Sequence, residues 1–309
     1  MTKNKSIPDL RLGTRGSPLA MAQAHQVRDL LGAAHPGLEV EIVVIATTGD
    51  QVLDRRLSEV GGKGLFTKEI QEALLDGRID LAVHSMKDVE TWLPDGTIIA
   101  AVLEREDPRD ALICPRADSL DALPPGAVIG TSSLRRQAQI LHRRPDLRVE
   151  TLRGNVQTRL RKLDEGVVDA TLLALAGLRR LGKQDVASGI IGVDVLLPAV
   201  AQGAIGIETR RDDARTRDLV APLDHAASSV CIRAERAMLA ALDGSCHTPI
   251  GGLAVLDGNS GISLEGLIAQ PDGSTLHRGS RHGAASDAEA IGTDLGRALR
   301  SRMPADFFA

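Results

Sequence analysis

Residues 127–163 hold the same unit twice, and that repetition leaves few architectures open. Ala127–Gly130 is a short apolar run ending in glycine. Thr131-Ser132-Ser133 supplies a turn and an N-cap, and the helix that follows shows Leu134, Ala138 and Leu141 at i, i+4 and i+7 before Pro145 stops it. Leu147–Leu152 then alternates like a strand, and Arg153-Gly154-Asn155 opens a second helix with Val156, Leu160 and Leu163 on one face. Strand, capped helix, strand, capped helix predicts a parallel α/β sheet with crossover helices.

The charge of this stretch is as constraining as its period. Ile129–Arg161 contains eight arginines, no lysine and only two acids, Asp146 and Glu150, within a chain of formal net charge -4. Arg135 and Arg136 fall in the first turn of their helix, where cations oppose the macrodipole. Helix N-termini at the carboxyl ends of strands are where α/β sheets bind ligands, anions above all. A guanidinium fork matches a carboxylate or phosphate bidentately. Arg135, Arg136, Arg153 and Arg159 therefore read as anion binders, and Arg143, Arg144 and Arg148 as a solvated face.

Composition excludes several classes. Aromatics are 1% with no tyrosine, so single-stranded nucleic acid lacks a stacking platform, and the net acidity argues against duplex binding. No apolar run is long enough to cross a bilayer, and MTKNKSIPDLRLG has no cleavable signal pattern, which predicts a cytoplasmic protein. Cys114, Cys231 and Cys246 have neither CxxC nor metal spacing, so no metal site is predicted. Cys114 and Cys231 read as core residues; Cys246 stands in a loop, beside His247, between Gly244 and Pro249.

Other strand-to-helix junctions carry polar residues too. Arg15-Gly16-Ser17-Pro18 follows a short strand, with Ser17 as cap and Leu19, Val27, Leu30, Leu31 and Ala34 as the helix stripe. Thr47–Gly64 is a polar run read as a mobile lid. Phe66, Ile70, Ala73 and Leu74 mark a helix closed by Gly77, with Phe66 most simply core. Ile79–His84 is an apolar strand followed by Ser85-Met86-Lys87-Asp88, which puts a lysine and a carboxylate at its carboxyl end. Asp88 there can act as acid, base or counter-ion to a developing cation, or simply pair with Lys87 on the surface.

Leu103–Asp110 reads as a charged linker between two α/β lobes, and Leu197–Gly203 returns the chain to the first. From about Asp224 the pattern becomes a long helix, three antiparallel strands and a last helix capped by Ser286 and Glu289. The predicted domains are 1–103 with 203–222, 104–202, and 223–309. The fold class is α/β, two doubly wound lobes plus a small α+β domain with a three-stranded antiparallel sheet.

Taken together, GTRGSPLAMAQA, GGKGLFTKEI, AVHSMKDV, EREDPRDA, GTSSLRRQAQ, LRGNVQTRLRKL, LPAVAQGAIGIE, AERAML and DGSCHTPIG resemble the porphobilinogen deaminase (hydroxymethylbilane synthase) family, in order and over nearly the whole chain. The resemblance implies a three-domain transferase whose first two domains are similar to a periplasmic-binding-protein lobe pair. It implies condensation of four porphobilinogen units with loss of ammonia, then hydrolysis, on a dipyrromethane cofactor held covalently by Cys246, in a monomer with no nucleic-acid or membrane partner. By the same resemblance Arg15, Arg135, Arg136, Arg153, Arg159 and Arg180 bind carboxylates. Ser17, Lys87, Thr131, Ser132, Ser133 and Gln202 are polar contacts to cofactor or substrate, Asp88 is the catalytic carboxylate, and Phe66 walls the cleft near the cofactor. Glu90, Ala201, Ser245 and His247 depart from the family's usual residues. Two rivals are a non-catalytic two-lobe module that captures anions and a cysteine hydrolase centred on Cys246 and His247.

Overall fold

The computed structural model describes residues 8–51, 64, 66–245, 248–258, 260–304 and 307. The predicted lid falls largely on 52–63 and the cofactor-attachment position on Cys246; both lie outside the described residues.

Three sheets organise the chain. The first contains β1 (Leu10–Thr14), β2 (Val40–Val44), β3 (Leu81–Ser85), β4 (Thr97–Val102) and β10 (Ile205–Arg210), in the order β2-β1-β3-β10-β4. The second contains β5 (Asp110–Ile113), β6 (Val128–Gly130), β7 (Arg148–Glu150), β8 (Ala170–Ala174) and β9 (Gly189–Ile191), in the order β7-β6-β8-β5-β9. These orders are the same. In each sheet the strand in the fourth place runs antiparallel to its neighbours. That strand is the one entering from the other lobe: β5 follows the first crossing and β10 the second. Successive strand-helix units give parallel neighbours, and the one antiparallel strand of each sheet follows from a crossing feeding the opposite sheet.

Helices cover the sheets as the caps direct. Helix α1 (Pro18–Ala34) starts at Ser17, whose Oγ accepts from Ala20 N at 3.3 Å. It buries Gln23, Ala24, Val27 and Leu31, while Leu30 and Ala34, predicted in the stripe, are exposed. After the short α2 (Thr48–Gln51), helix α3 (Lys68–Leu75) buries Ile70, Ala73 and Leu74, and Phe66 precedes it rather than belonging to it. In the second lobe α4 (Leu134–Arg143), α5 (Val156–Asp164) and α6 (Leu175–Arg180) follow β6, β7 and β8.

Helix α4 differs from its prediction. Its buried residues are Arg135, Arg136, Ala138, Gln139 and Ile140, while Leu134 and Leu141 are half-buried. Apolar periodicity cannot register this face, because its arginines are buried through hydrogen bonds. Arg144, predicted to be solvated, is also an internal brace, donating to the carbonyls of Leu120, Asp121 and Leu123. Arg143 does lie at the surface, paired with Asp121.

The third unit packs α8 (Ala226–Ala241) and α9 (Ala288–Arg300) on β11 (Ile250–Leu256), β12 (Gly261–Ala269) and β13 (Leu276–Ala284); α7 (Ala214–Val220) precedes it. The predicted Ser286–Glu289 capping box does not form: Asp287 is the N-cap, without a side-chain cap bond, and Glu289 pairs with Arg233 at 3.5 Å. This unit touches both lobes. Gln137 Nε2 and His142 Nδ1, on α4, donate to Pro271 O and Gly273 O at the β12–β13 turn. Gly273 has φ +76°, and a Cβ there would stand 2.5 Å from His142 N, so a side chain at this turn would push α4 away. On the other side Arg236 donates to the carbonyls of Glu90 and Thr91, and Thr91 Oγ1 to Gly244 O.

The predicted charged linker is not a solvated one. Leu103 and Asp110 are buried, and Arg105 forms an ion pair with buried Glu235 of α8. Glu235 also accepts from Ala201 N at 2.6 Å on the second crossing, so one carboxylate holds both crossings to the third unit.

Candidate active site

A cavity of about 1020 Å³ opens between the lobes, and the third unit supplies part of its wall. Twelve of the fifteen sequence-nominated residues line it: Arg15, Ser17, Phe66, Lys87, Asp88, Ser132, Ser133, Arg135, Arg136, Arg153, Arg159 and Gln202. Thr131 and Arg180 do not. Thr131 is buried, its Oγ1 accepting from Ser133 N, and Arg180 donates to Gly203 O at 2.7 Å. Cys246 lies outside the described residues, although Ser245 and Thr248 on either side line the cavity.

The first lobe brings Asp88 and Lys87 in a turn of 3-10 helix directly after β3. Among the described residues no side chain hydrogen-bonds Asp88. Lys87 is pushed down to about 8, first by burial and further by Arg136, with Asp88 opposing. Arg15 stacks on Phe66, its guanidinium carbon 4.2 Å from the ring centroid, so Phe66 belongs to the cavity wall and not to the core of α3.

The second lobe brings the cations. Ser133 and Asn155 cap α4 and α5, accepting from Arg136 N and Thr158 N. Those caps fix the helix starts from which Arg135, Arg136, Arg153 and Arg159 reach the cavity. Arg159 is pushed down to about 10 by burial and then by Arg136, against the opposing charge of Asp88. Nε of Arg135, Nε of Arg136 and Nη1 of Arg153 are all buried without a hydrogen-bond partner. Buried donors of that kind are rare in a finished interior, and leaving them unpaired is costly. They suit a ligand bearing several carboxylates, and thus fit an acidic dipyrrole as cofactor.

Three residues escaped the sequence. Asp110 accepts from both Arg135 and Arg136. Arg236 lines the cavity from α8, and Gln157 lines it with a buried Oε1 that has no partner. Asp110 and Arg236 are separated from the site by many residues of chain, and Gln157 sits among louder arginines; no spacing signal marks any of them.

Comparison with known proteins decides the family. Residues 10–218 match the family model described as porphobilinogen deaminase, dipyromethane cofactor binding domain, and 229–301 match its C-terminal domain. The chain belongs to the porphobilinogen deaminase family. It is 57% identical to a porphobilinogen deaminase of Paracoccus denitrificans, over 97% of this chain and 96% of that one. It is 56% identical to one of Nitrobacter winogradskyi, over 96% and 94%, and 54% identical to a chloroplastic member from Oryza sativa, over 97% and 85%. Among solved structures, a periplasmic substrate-binding protein of an ABC transporter from Coxiella burnetii matches at TM-score 0.44 and 17% identity, covering 71% of this chain and 94% of that one. The repeated strand order, not this distant likeness, carries the description of the family's two lobes here.

Proposed function

We propose that this chain condenses four porphobilinogen molecules head to tail, releasing ammonia at each addition, and then hydrolyses the linear product free as hydroxymethylbilane. The observation that carries the proposal is a cavity lined by Arg135, Arg136, Arg153 and Arg159 from the second lobe and by a carboxylate, Asp88, from the first. Each porphobilinogen brings two carboxylates, a pyrrole N–H and an ammonium. Donors on one wall and an anion on the other match both halves of that molecule.

In this reading Arg135, Arg136 and Arg153 hold carboxylates of the dipyrromethane and the early chain, with Ser17, Lys87, Ser132 and Ser133 as further donors. Thr131 sets the turn that carries Ser133. Arg15 and Arg159 take substrate carboxylates, Phe66 with its stacked Arg15 forms one wall, and Gln202 and Arg180 fix the crossing beside it. Attached through Cys246, the dipyrromethane supplies the acceptor pyrrole. Asp88 accepts hydrogen bonds from pyrrole nitrogen and stabilises positive charge as ammonia departs, then assists loss of the ring proton after coupling. The surrounding arginines keep the carboxylated arms in place and exclude water until the final addition. The domain limits given from the sequence, a monomeric state and a cytoplasmic setting belong to the same proposal.

Ammonia release and porphobilinogen consumption by the purified protein test it, with intact mass read before and after denaturation. An extra mass of two linked pyrroles should survive denaturation and vanish in Cys246→Ser. Asp88→Asn, which keeps volume and removes charge, should lose about 10²–10⁴-fold in turnover while remaining folded. A wild-type chain that binds porphobilinogen yet releases no ammonia would instead favour a non-catalytic anion-capturing module.

A further inference from the structure

Asp110 is the first residue of β5, fully buried, with its backbone fixed by ladders to β8 and β9. Its Oδ2 accepts from Arg135 Nη2 at 2.8 Å, and its Oδ1 from Arg136 Nη2 at 2.7 Å and Gln202 Nε2 at 2.9 Å. Each guanidinium is also held at its other terminal nitrogen: Arg135 Nη1 donates to Leu197 O at 2.7 Å and Arg136 Nη1 to Leu172 O at 2.9 Å. On both residues the nitrogen left over is Nε, buried and without a partner.

We propose that Asp110 is a positioning residue: it clamps the Arg135 and Arg136 guanidiniums so that both keep one fixed arrangement on the cavity wall for carboxylates of the dipyrromethane and the early chain. The proposal rests on the function given above and concerns how its anion site is built. Two adjacent guanidiniums without a shared anion would repel each other and would need reordering at each binding event. Donors fixed beforehand need no such reorganisation. A chain that lengthens by one pyrrole at a time meets the same donor geometry at every addition only if those donors do not move. Gln202, on the second crossing, also donates to Pro108 O on the first at 2.7 Å, so the clamp is tied to both connections between the lobes.

Electrostatics agree with the geometry. Burial by itself would raise the Asp110 pKa, but the two guanidiniums outweigh it and hold the carboxyl well below the usual carboxylate range. The clamp is thus ionised throughout the neutral range.

The test compares cofactor-loaded wild type with Asp110→Asn, which removes the charge at nearly constant volume. Three readouts are needed: thermal denaturation, steady-state kinetics with porphobilinogen, and exchange of the Arg135 and Arg136 Nε–H protons by nuclear magnetic resonance. Expected are a kcat at least tenfold lower, a KM within about threefold, and at least tenfold faster Nε–H exchange in folded protein. A lower melting temperature with kcat per folded molecule and exchange both unchanged would overturn the proposal and leave Asp110 a packing residue. Should Asn not fold, Arg135→Lys asks the same question with Asp110 intact, since lysine keeps the charge but lacks the two-nitrogen fork held between Asp110 and Leu197 O. Its kcat should fall likewise, and wild-type kcat in Arg135→Lys overturns the proposal. An inactive wild type would sink the functional reading; unchanged variants beside an active wild type sink this inference alone.

Discussion

Strands β5 and β10 occupy the same place in their two sheets, and each carries a buried carboxylate, yet the two acids are treated differently. Glu208 on β10 accepts from His84 Nε2 at 2.9 Å, Thr97 Oγ1 at 2.6 Å and Gln71 Nε2 at 3.2 Å, all from its own lobe. Asp110 on β5 is met by two guanidiniums and an amide from the second crossing. Around Glu208 the neighbours serve the acid, satisfying its oxygens so that it can be buried. Around Asp110 the acid serves the neighbours, holding two cations beside the cavity while one nitrogen of each, Nε, has no partner. Equal position in a fold therefore says little about role; the charge and spare capacity of the partners say more.

That contrast breaks most sharply at Arg153, a cavity cation whose buried Nη1 has no partner. Arg153→Leu should weaken binding of the carboxylated chain by about 3–5 kcal/mol, a loss of roughly 10²–10³-fold or more. Its melting temperature should not fall, because no intramolecular bond of that nitrogen is lost. Assembly intermediates resolved by intact mass, alongside a melting curve, check both halves; a destabilised but fully active variant would place Arg153 with the structural residues.

Glu208→Gln should show the opposite split, losing about 1–3 kcal/mol of stability with kcat within twofold of wild type. Burial would raise the Glu208 pKa, but hydrogen bonding and charge from His84, with Thr97 and Gln71, hold it below the ordinary 4.5. A depressed carboxylate contributes stability that is present above the unfolded value and lost as pH falls below it. The variant's stability should therefore fall less steeply than wild type below about pH 4.5 in denaturant titrations. A large kcat loss at neutral pH would mean that the two acids are not so different.

Smaller effects sharpen the same line between bracing and binding. Arg144→Ala should lower the melting temperature by removing donors to the Leu120 and Leu123 carbonyls, and Arg143→Ala should lower it less, both at unchanged kcat. Ala201 holds φ +60° on the second crossing, a conformation that costs a residue with a Cβ roughly 1–2 kcal/mol. Ala201→Gly should recover about 1 kcal/mol in chemical denaturation, less whatever the added freedom of the unfolded chain removes.

Much was legible in the chain itself. Repeated strand-cap-helix units identified the lobes' class, because caps and apolar periods act within a few residues of each other. Ser17, Ser133 and Asn155 cap the helices that the local pattern assigns to them, and the cations next to those caps reach one cavity. What the sequence could not provide was anything that depends on distant residues meeting. It read Leu134 and Leu141 as the inner face of α4, whereas the inner face carries Arg135 and Arg136; only Asp110 and the Leu172 and Leu197 carbonyls, brought in from elsewhere, make that burial tolerable. It read 103–110 as a charged linker but not which of its charges are internal: Glu235 of the third unit and the Arg135–Arg136 pair draw Arg105 and Asp110 inside. A side chain's own chemistry is written in the sequence; whether a charge faces water, a ligand or a buried counter-charge is settled only by the partners that folding puts within about 3 Å of it.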